Sequence, residues 1–76
     1  MKVEIYTTNV CPWCHKAMEF FDENKIDYTE KNVQKHPELA AELLEKSGQM
    51  GVPVIAIGDE IIIGFNKDRL KKTLKL

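Results

Sequence analysis

Residues 2–14 read Lys2-Val3-Glu4-Ile5-Tyr6-Thr7-Thr8-Asn9-Val10-Cys11-Pro12-Trp13-Cys14. The first five alternate polar and apolar, with β-branched and aromatic side chains, and predict a strand. After Cys11 the period changes. Ala17 and Phe21 lie four apart with Met18 beside them, which predicts a helix from Pro12 or Trp13 to about Glu23, ending near Asn24. The two cysteines thus sit where a strand hands over to a helix.

Working outward, Asp27 to Val33 reads as a weaker second strand. A second helix follows, with His36 at its N-cap and Pro37 at the first helical position, where a missing N–H costs nothing. Leu39, Leu43 and Leu44 supply its apolar stripe, and Gly48 is its natural terminator. Pro53-Val54-Ile55-Ala56-Ile57 reads as a buried strand. Gly58-Asp59 makes a two-residue hairpin turn, and Glu60-Ile61-Ile62-Ile63 returns antiparallel. The last helix is expected after Asn66, with Leu70 and Leu74 facing the core. The order is β-α-β-α-β-β-α, without repeat, linker or low-complexity stretch. An α/β fold is expected, with a four-stranded mixed sheet flanked by three helices and a right-handed first crossover.

The 76 residues leave room for one domain, taken as 1–76. A chain of this size buries only roughly 60% of its unfolded surface, so each large apolar residue matters. Net charge is −1, which argues against nucleic acid or an anionic membrane as main partner, since both call for a basic excess. The start, Met1-Lys2-Val3-Glu4-Ile5-Tyr6, has no apolar core of a secretory signal. The longest apolar run, Val52 to Ile57, is too short to span a bilayer. The cytoplasm is therefore the expected compartment. Thiols stay reduced there, so two cysteines three positions apart read as redox-active or metal-binding rather than as a structural staple.

Place decides what the pair can do. A helix N-terminus offers unpaired N–H groups and partial positive charge, and both favour thiolate over thiol. A cysteine at its reference value near 8.5 is only ~3% ionised at neutral pH, whereas such sites lower it to ~3.5–7.5. Cys11 is expected to attack, and Cys14, deeper in the first turn, to resolve the mixed disulfide. Pro12 fixes that turn. Trp13 is expected to be an exposed aromatic that contacts substrate, the alternative being partial core packing. Zinc wants four ligands, and beyond the two cysteines the chain offers only His15 and His36, so no metal site is assigned. Both histidines read as solvated or capping residues, with His15 placed to tune Cys11 if it approaches. Lys67, Lys71, Lys72 and Lys75 read as the solvated face of the last helix, and Tyr6 and Tyr28 as core residues with hydroxyls at the edge.

These residues resemble the glutaredoxin branch of the thioredoxin superfamily over nearly the whole chain. Val3-Glu4-Ile5-Tyr6-Thr7 leads into Cys11-Pro12-Trp13-Cys14-His15; Gly48-Gln49-Met50-Gly51-Val52-Pro53 looks like the family's cis-proline loop; Ile63-Gly64-Phe65 precedes the last helix. The resemblance implies a thioredoxin-like fold and a cis Val52–Pro53 bond facing the cysteines. Val52 would then pair its backbone with an extended thiol peptide, a short β-augmentation. It also implies a dithiol reductase of protein or glutathione-mixed disulfides. Such a protein has no bound cofactor, uses glutathione as co-substrate and acts as a monomer. Thr8, Pro12, Trp13, Val52, Pro53, Gly64, Phe65, Asn66 and Lys67 are the positions expected to hold substrate or glutathione.

Three departures bear on the electron donor. Glutathione-dependent members usually carry a lysine where this chain has Thr8, and a tyrosine or phenylalanine where it has Trp13. They also tend to have Gly-Gly and acidic residues at the start of the last helix. This chain reads Gly64-Phe65-Asn66-Lys67-Asp68. Gly64-Phe65 is more like the redoxins that serve ribonucleotide reductase and draw electrons from thioredoxin reductase, a flavoprotein. Two further alternatives belong to other classes. One is a dimer carrying an iron–sulfur cluster between two Cys11 thiolates and two glutathiones, which Pro12 and Cys14 disfavour. The other is a module that only docks partners through Trp13, Val52 and Phe65.

Overall fold

The computed structural model describes residues 2–76. Its elements are β1 (Val3–Thr7), α1 (Pro12–Glu23), β2 (Thr29–Asn32), α2 (Leu39–Ser47), β3 (Val54–Ile57), β4 (Glu60–Ile63) and α3 (Lys67–Leu74). The strands form one mixed sheet in the order β2-β1-β3-β4. β1 runs parallel to β2, while β3 pairs antiparallel with both β1 and β4. This is the expected thioredoxin-like arrangement.

Alternation along the strands sends side chains to two cores. Val3 and Ile5 of β1, Ile55 and Ile57 of β3 and Ile62 of β4 meet Ala17, Phe20 and Phe21 of α1 and Leu70 of α3. Phe20 stands edge-on to both Phe21 and Phe65, with ring centroids 6.1 and 6.0 Å apart. On the other face Tyr6 and Val54 meet Leu43 of α2, with Val33, Val52 and Ile61 around them. α1 ends at Asn24, whose side chain donates to Phe20 O, and Lys25 takes the left-handed conformation (φ 55°) that lets Ile26 N reach Phe21 O. Gly48 (φ 74°) closes α2, and Gly58 (φ 59°) turns the β3–β4 hairpin.

Two expectations about α2 are corrected. The helix begins at Leu39, with Glu38 rather than His36 at the N-cap and no side-chain cap. His36 O instead accepts from Leu39 N, and Pro37 O from Ala40 N. These are tighter i→i+3 bonds, so a turn precedes the helix proper. Leu44 is not part of the buried stripe; it is 49% exposed, and Leu43 is the only fully buried residue of the helix.

Polar groups fill the space left beside Leu43. β1 alternates in sequence, yet all five of its residues are buried, because it is a central strand with helices on both faces. Glu4, only 5% exposed, is therefore enclosed beneath α2. Its carboxylate lies 2.8 Å from Lys31 Nζ and 3.1 Å from Lys46 Nζ, and Lys31 also reaches Glu42 at 2.6 Å. The Tyr6 hydroxyl donates to Glu42, and both lysines stand over the Tyr6 ring. The Lys31 hydrogen bond foremost, with Lys46 adding to it against the opposing effect of burial, holds the Glu4 carboxyl down at about 2. Hydrogen bonding to Glu4 in turn raises Lys31 and Lys46, and burial, then Glu42, raises Tyr6.

Candidate active site

Strand register collects the loops at one end of the sheet. β1 ends at Thr7, beside Asn32, the last residue of β2. Tyr6 pairs with Val54, so Pro53 enters the sheet at that same end. Val54 pairs with Ile63, and Gly64 N donates to Pro53 O at 2.8 Å. Cys11, Val52-Pro53 and Gly64-Phe65-Asn66 are distant in sequence but share this edge, where α1 and α3 begin.

Cys11 is the N-cap of α1, extended at φ −151° and ψ 91°. Its carbonyl accepts from Cys14 N and His15 N, and its sulfur accepts from Cys14 N at 3.2 Å. One of the N–H groups left over at a helix start is thus aimed at sulfur rather than at water. Such a donor favours the ionised sulfur. Pro12, at N1, has no N–H to lose. The pair is present as the Cys11–Cys14 disulfide, with Cα atoms 5.2 Å apart. Cys11 keeps 7% exposure against 1% for Cys14, whose sulfur lies 4.0 Å from Tyr6 O within the fold. Of the two cysteines, Cys11 is the more exposed.

Around the pair, Trp13 is 58% exposed, with Lys16 Nζ 5.6 Å from its ring centroid, so it is not core packing. Thr8 is half-buried, its hydroxyl donating to Val10 O at 3.3 Å. The Val52–Pro53 bond is cis; Pro53 is buried and Val52 half-buried. Gly64 adopts φ 84°, Phe65 leans on Phe20, and Asn66 caps α3 by accepting from Arg69 N at 3.1 Å. Lys67, the first residue of α3, is exposed and borders a shallow groove shared with Lys16, Phe20 and Phe65. His15 and His36 are exposed; His36 Nδ1 lies 3.6 Å from Glu38. A further surface cavity lies at the opposite end, between the β3–β4 hairpin and α3, where Arg69 already pairs with Glu60 at 3.2 Å. It has no part in the sulfur chemistry.

The residues that reading the sequence misses are Asn9, Asn32 and Gln34. Asn32, 8% exposed, donates its amide to Asn9 Oδ1 at 3.0 Å, and Gln34 Oε1 accepts from Asn9 N at 3.0 Å. Nothing local marks them, because the partners are 23 and 25 residues apart.

The sequence pattern of the Glutaredoxin family matches residues 3–62. An uncharacterized glutaredoxin-like 8.6 kDa protein in the rubredoxin operon of Clostridium pasteurianum is 40% identical over 73 residues, covering 96% of this chain and 97% of that one. A glutaredoxin of Pseudomonas aeruginosa is 40% identical over 62 residues, 82% of this chain and 74% of its own. The solved structure of the glutaredoxin-like protein NrdH-redoxin of Escherichia coli, described as having a thioredoxin-like activity profile, superposes with a TM-score of 0.81. It is 35% identical and spans 95% of this chain and 93% of that one. With a Cys-Pro-Trp-Cys pair capping a helix at the end of a four-stranded mixed sheet, this chain belongs to the glutaredoxin family and is a thiol–disulfide oxidoreductase.

Proposed function

We propose that the chain reduces disulfides of protein substrates in the cytoplasm as a monomer, with Cys11 attacking and Cys14 resolving. The observation that carries this reading is the Cys14 N–H aimed at Cys11 Sγ at 3.2 Å, on the more exposed of the two cysteines. The Cys11 thiolate attacks one sulfur of the substrate disulfide and expels the other, which takes up a proton as a thiol. Cys14 then gives up its proton and attacks Cys11 Sγ, expelling the second substrate sulfur. Two electrons and two protons reach the substrate, and the protein ends as the Cys11–Cys14 disulfide. Trp13, Val52 and Pro53 flank the path the substrate takes to Cys11, Val52 lending its backbone to an extended peptide.

For the return of electrons we favour a flavoprotein reductase of the thioredoxin reductase kind. Phe65 covers Phe20 where a second glycine would leave the start of α3 bare, and Lys67 stands where an acid would meet the amino group of a γ-glutamyl moiety. The 35% identity to the Escherichia coli redoxin, described as having a thioredoxin-like activity profile, supports a donor of that kind. Glutathione is the second reading. In its favour are the N-terminus of α3 beside Gly64 at the cysteine end, an end of a helix that suits a carboxylate, and the likeness to the Pseudomonas glutaredoxin. Thr8 would then lie along the bound tripeptide. NADPH consumption with a protein disulfide as substrate separates the two. Thioredoxin reductase is expected to sustain turnover, and glutathione with its own reductase to sustain far less. Equal or better turnover with glutathione reverses the donor assignment; no turnover with either overturns both.

A further inference from the structure

The loop Thr8–Val10 delivers Cys11 to the helix, and it has no strand or helix pairing of its own. Its middle residue is held from outside. Asn9 N donates to Gln34 Oε1 at 3.0 Å, and Asn9 Oδ1 accepts from Asn32 Nδ2 at 3.0 Å. Asn32 belongs to the end of β2 and is nearly buried. Its Oδ1 accepts from both Gln34 N and Lys35 N at 2.9 Å, which closes the turn after the strand. Val33 N anchors the same turn to Thr7 O at 2.9 Å.

The chemistry of Asn32 separates two jobs. An aspartate would close the same turn, since both backbone N–H groups need only an acceptor. The amide nitrogen is required by Asn9 alone. We infer that the Asn32–Asn9 bridge positions Cys11, setting the approach of the loop so that its sulfur meets the Cys14 N–H. The inference rests on the reading of Cys11 as nucleophile. The physical link is short. Asn9 is two residues from Cys11, and hydrogen bonds weaken steeply as they lose alignment. A loop that swings at Asn9 therefore costs the thiolate its donor. Neither asparagine touches substrate in this account; they are positioning residues.

The test uses the full chain, reduced, with Asn9→Leu, Asn32→Asp and the double variant. Alkylation of Cys11 is followed against pH, the labelled cysteine identified by mass spectrometry, alongside steady-state reduction of a small disulfide and urea unfolding. Asn9→Leu is expected to raise the pH of half-maximal alkylation and to lower kcat about three- to tenfold, the worth of one hydrogen bond. KM should stay near that of the parent, while the urea midpoint falls modestly because the nearly buried Asn32 amide loses its acceptor. Asn32→Asp should move the titration the same way, and the double variant little beyond the worse single. If Asn32→Asp fails to fold, Asn9→Leu, at an exposed position, still decides. A change confined to the urea midpoint, with the alkylation curve unmoved, overturns the inference while leaving Cys11 as nucleophile. A parent Cys11 that titrates like an ordinary thiol overturns the nucleophile reading and the bridge with it.

Discussion

Replacing Glu4 by glutamine keeps the side chain's shape and removes the charge around which the α2 face is built. Glu4 lies 2.8 Å from Lys31 Nζ and 3.1 Å from Lys46 Nζ, and Lys2 adds a longer contact at 3.7 Å from an exposed position. These partners hold its carboxyl at about 2 against an ordinary 4.5. At about 1.4 kcal/mol per pK unit, the folded state favours the ionised form by about 3 kcal/mol. A depressed carboxyl contributes that stability in full above its unfolded value near 4.5 and loses it as the pH falls through about 2. Glutamine cannot take up the proton, and it leaves Lys46 without its carboxylate, while Lys31 keeps Glu42. Glu4→Gln should therefore destabilise the protein by about 3 kcal/mol at neutral pH, in the range for breaking a buried pair. The gap to the parent should narrow steadily between about pH 4.5 and pH 2. Urea unfolding followed by circular dichroism at several pH values measures both. A domain of this size has stability of the order of 5 kcal/mol or more, so the variant still shows a transition. A gap below about 0.5 kcal/mol at neutral pH, or one of unchanged size in acid, refutes the account of a buried, ionised Glu4.

Three further outcomes are expected. Cys14→Ser should stall the relay at a covalent Cys11–substrate adduct, visible as a mass increase that dithiothreitol removes, whereas Cys11→Ser should give no adduct. Gly64→Ala should cost about 1–2 kcal/mol in urea unfolding, because the residue sits at φ 84° and an added Cβ meets nothing within 4 Å, leaving only the left-handed backbone penalty. Trp13→Ala should change stability by less than about 0.5 kcal/mol, as befits an exposed side chain. It should nonetheless raise KM for a protein disulfide, while KM for a small one changes little.

Much of the architecture is legible in order along the chain. The strand before Cys11, the helix from Pro12, the Gly58-Asp59 hairpin and the helix after Asn66 all follow from short-range signals: alternation, a cap, a turn glycine. The cysteine pair is legible for the same reason, since a spacing of three on a helix start is local. α2 is where local reading slips. His36-Pro37 looks like a helix start but forms a separate turn, and Leu44 falls outside the narrow strip of a nine-residue helix that meets the sheet. Glu4 is a polar position in an alternating strand, and nothing local marks it as buried.

By itself, then, the sequence determines which segments are strands and helices, and that a reactive cysteine pair opens the first helix, because periodicity and capping act between residues a few positions apart. Tertiary structure alone decides that β1 is central, which encloses Glu4 among lysines from β2 and α2, and that Pro53 and Gly64 come to the cysteine end. It alone ties Asn9 to Asn32 across 23 residues. Apart from the β3–β4 hairpin, whose turn fixes its own pairing, strand order and register are settled by burial and hydrogen bonding between distant segments.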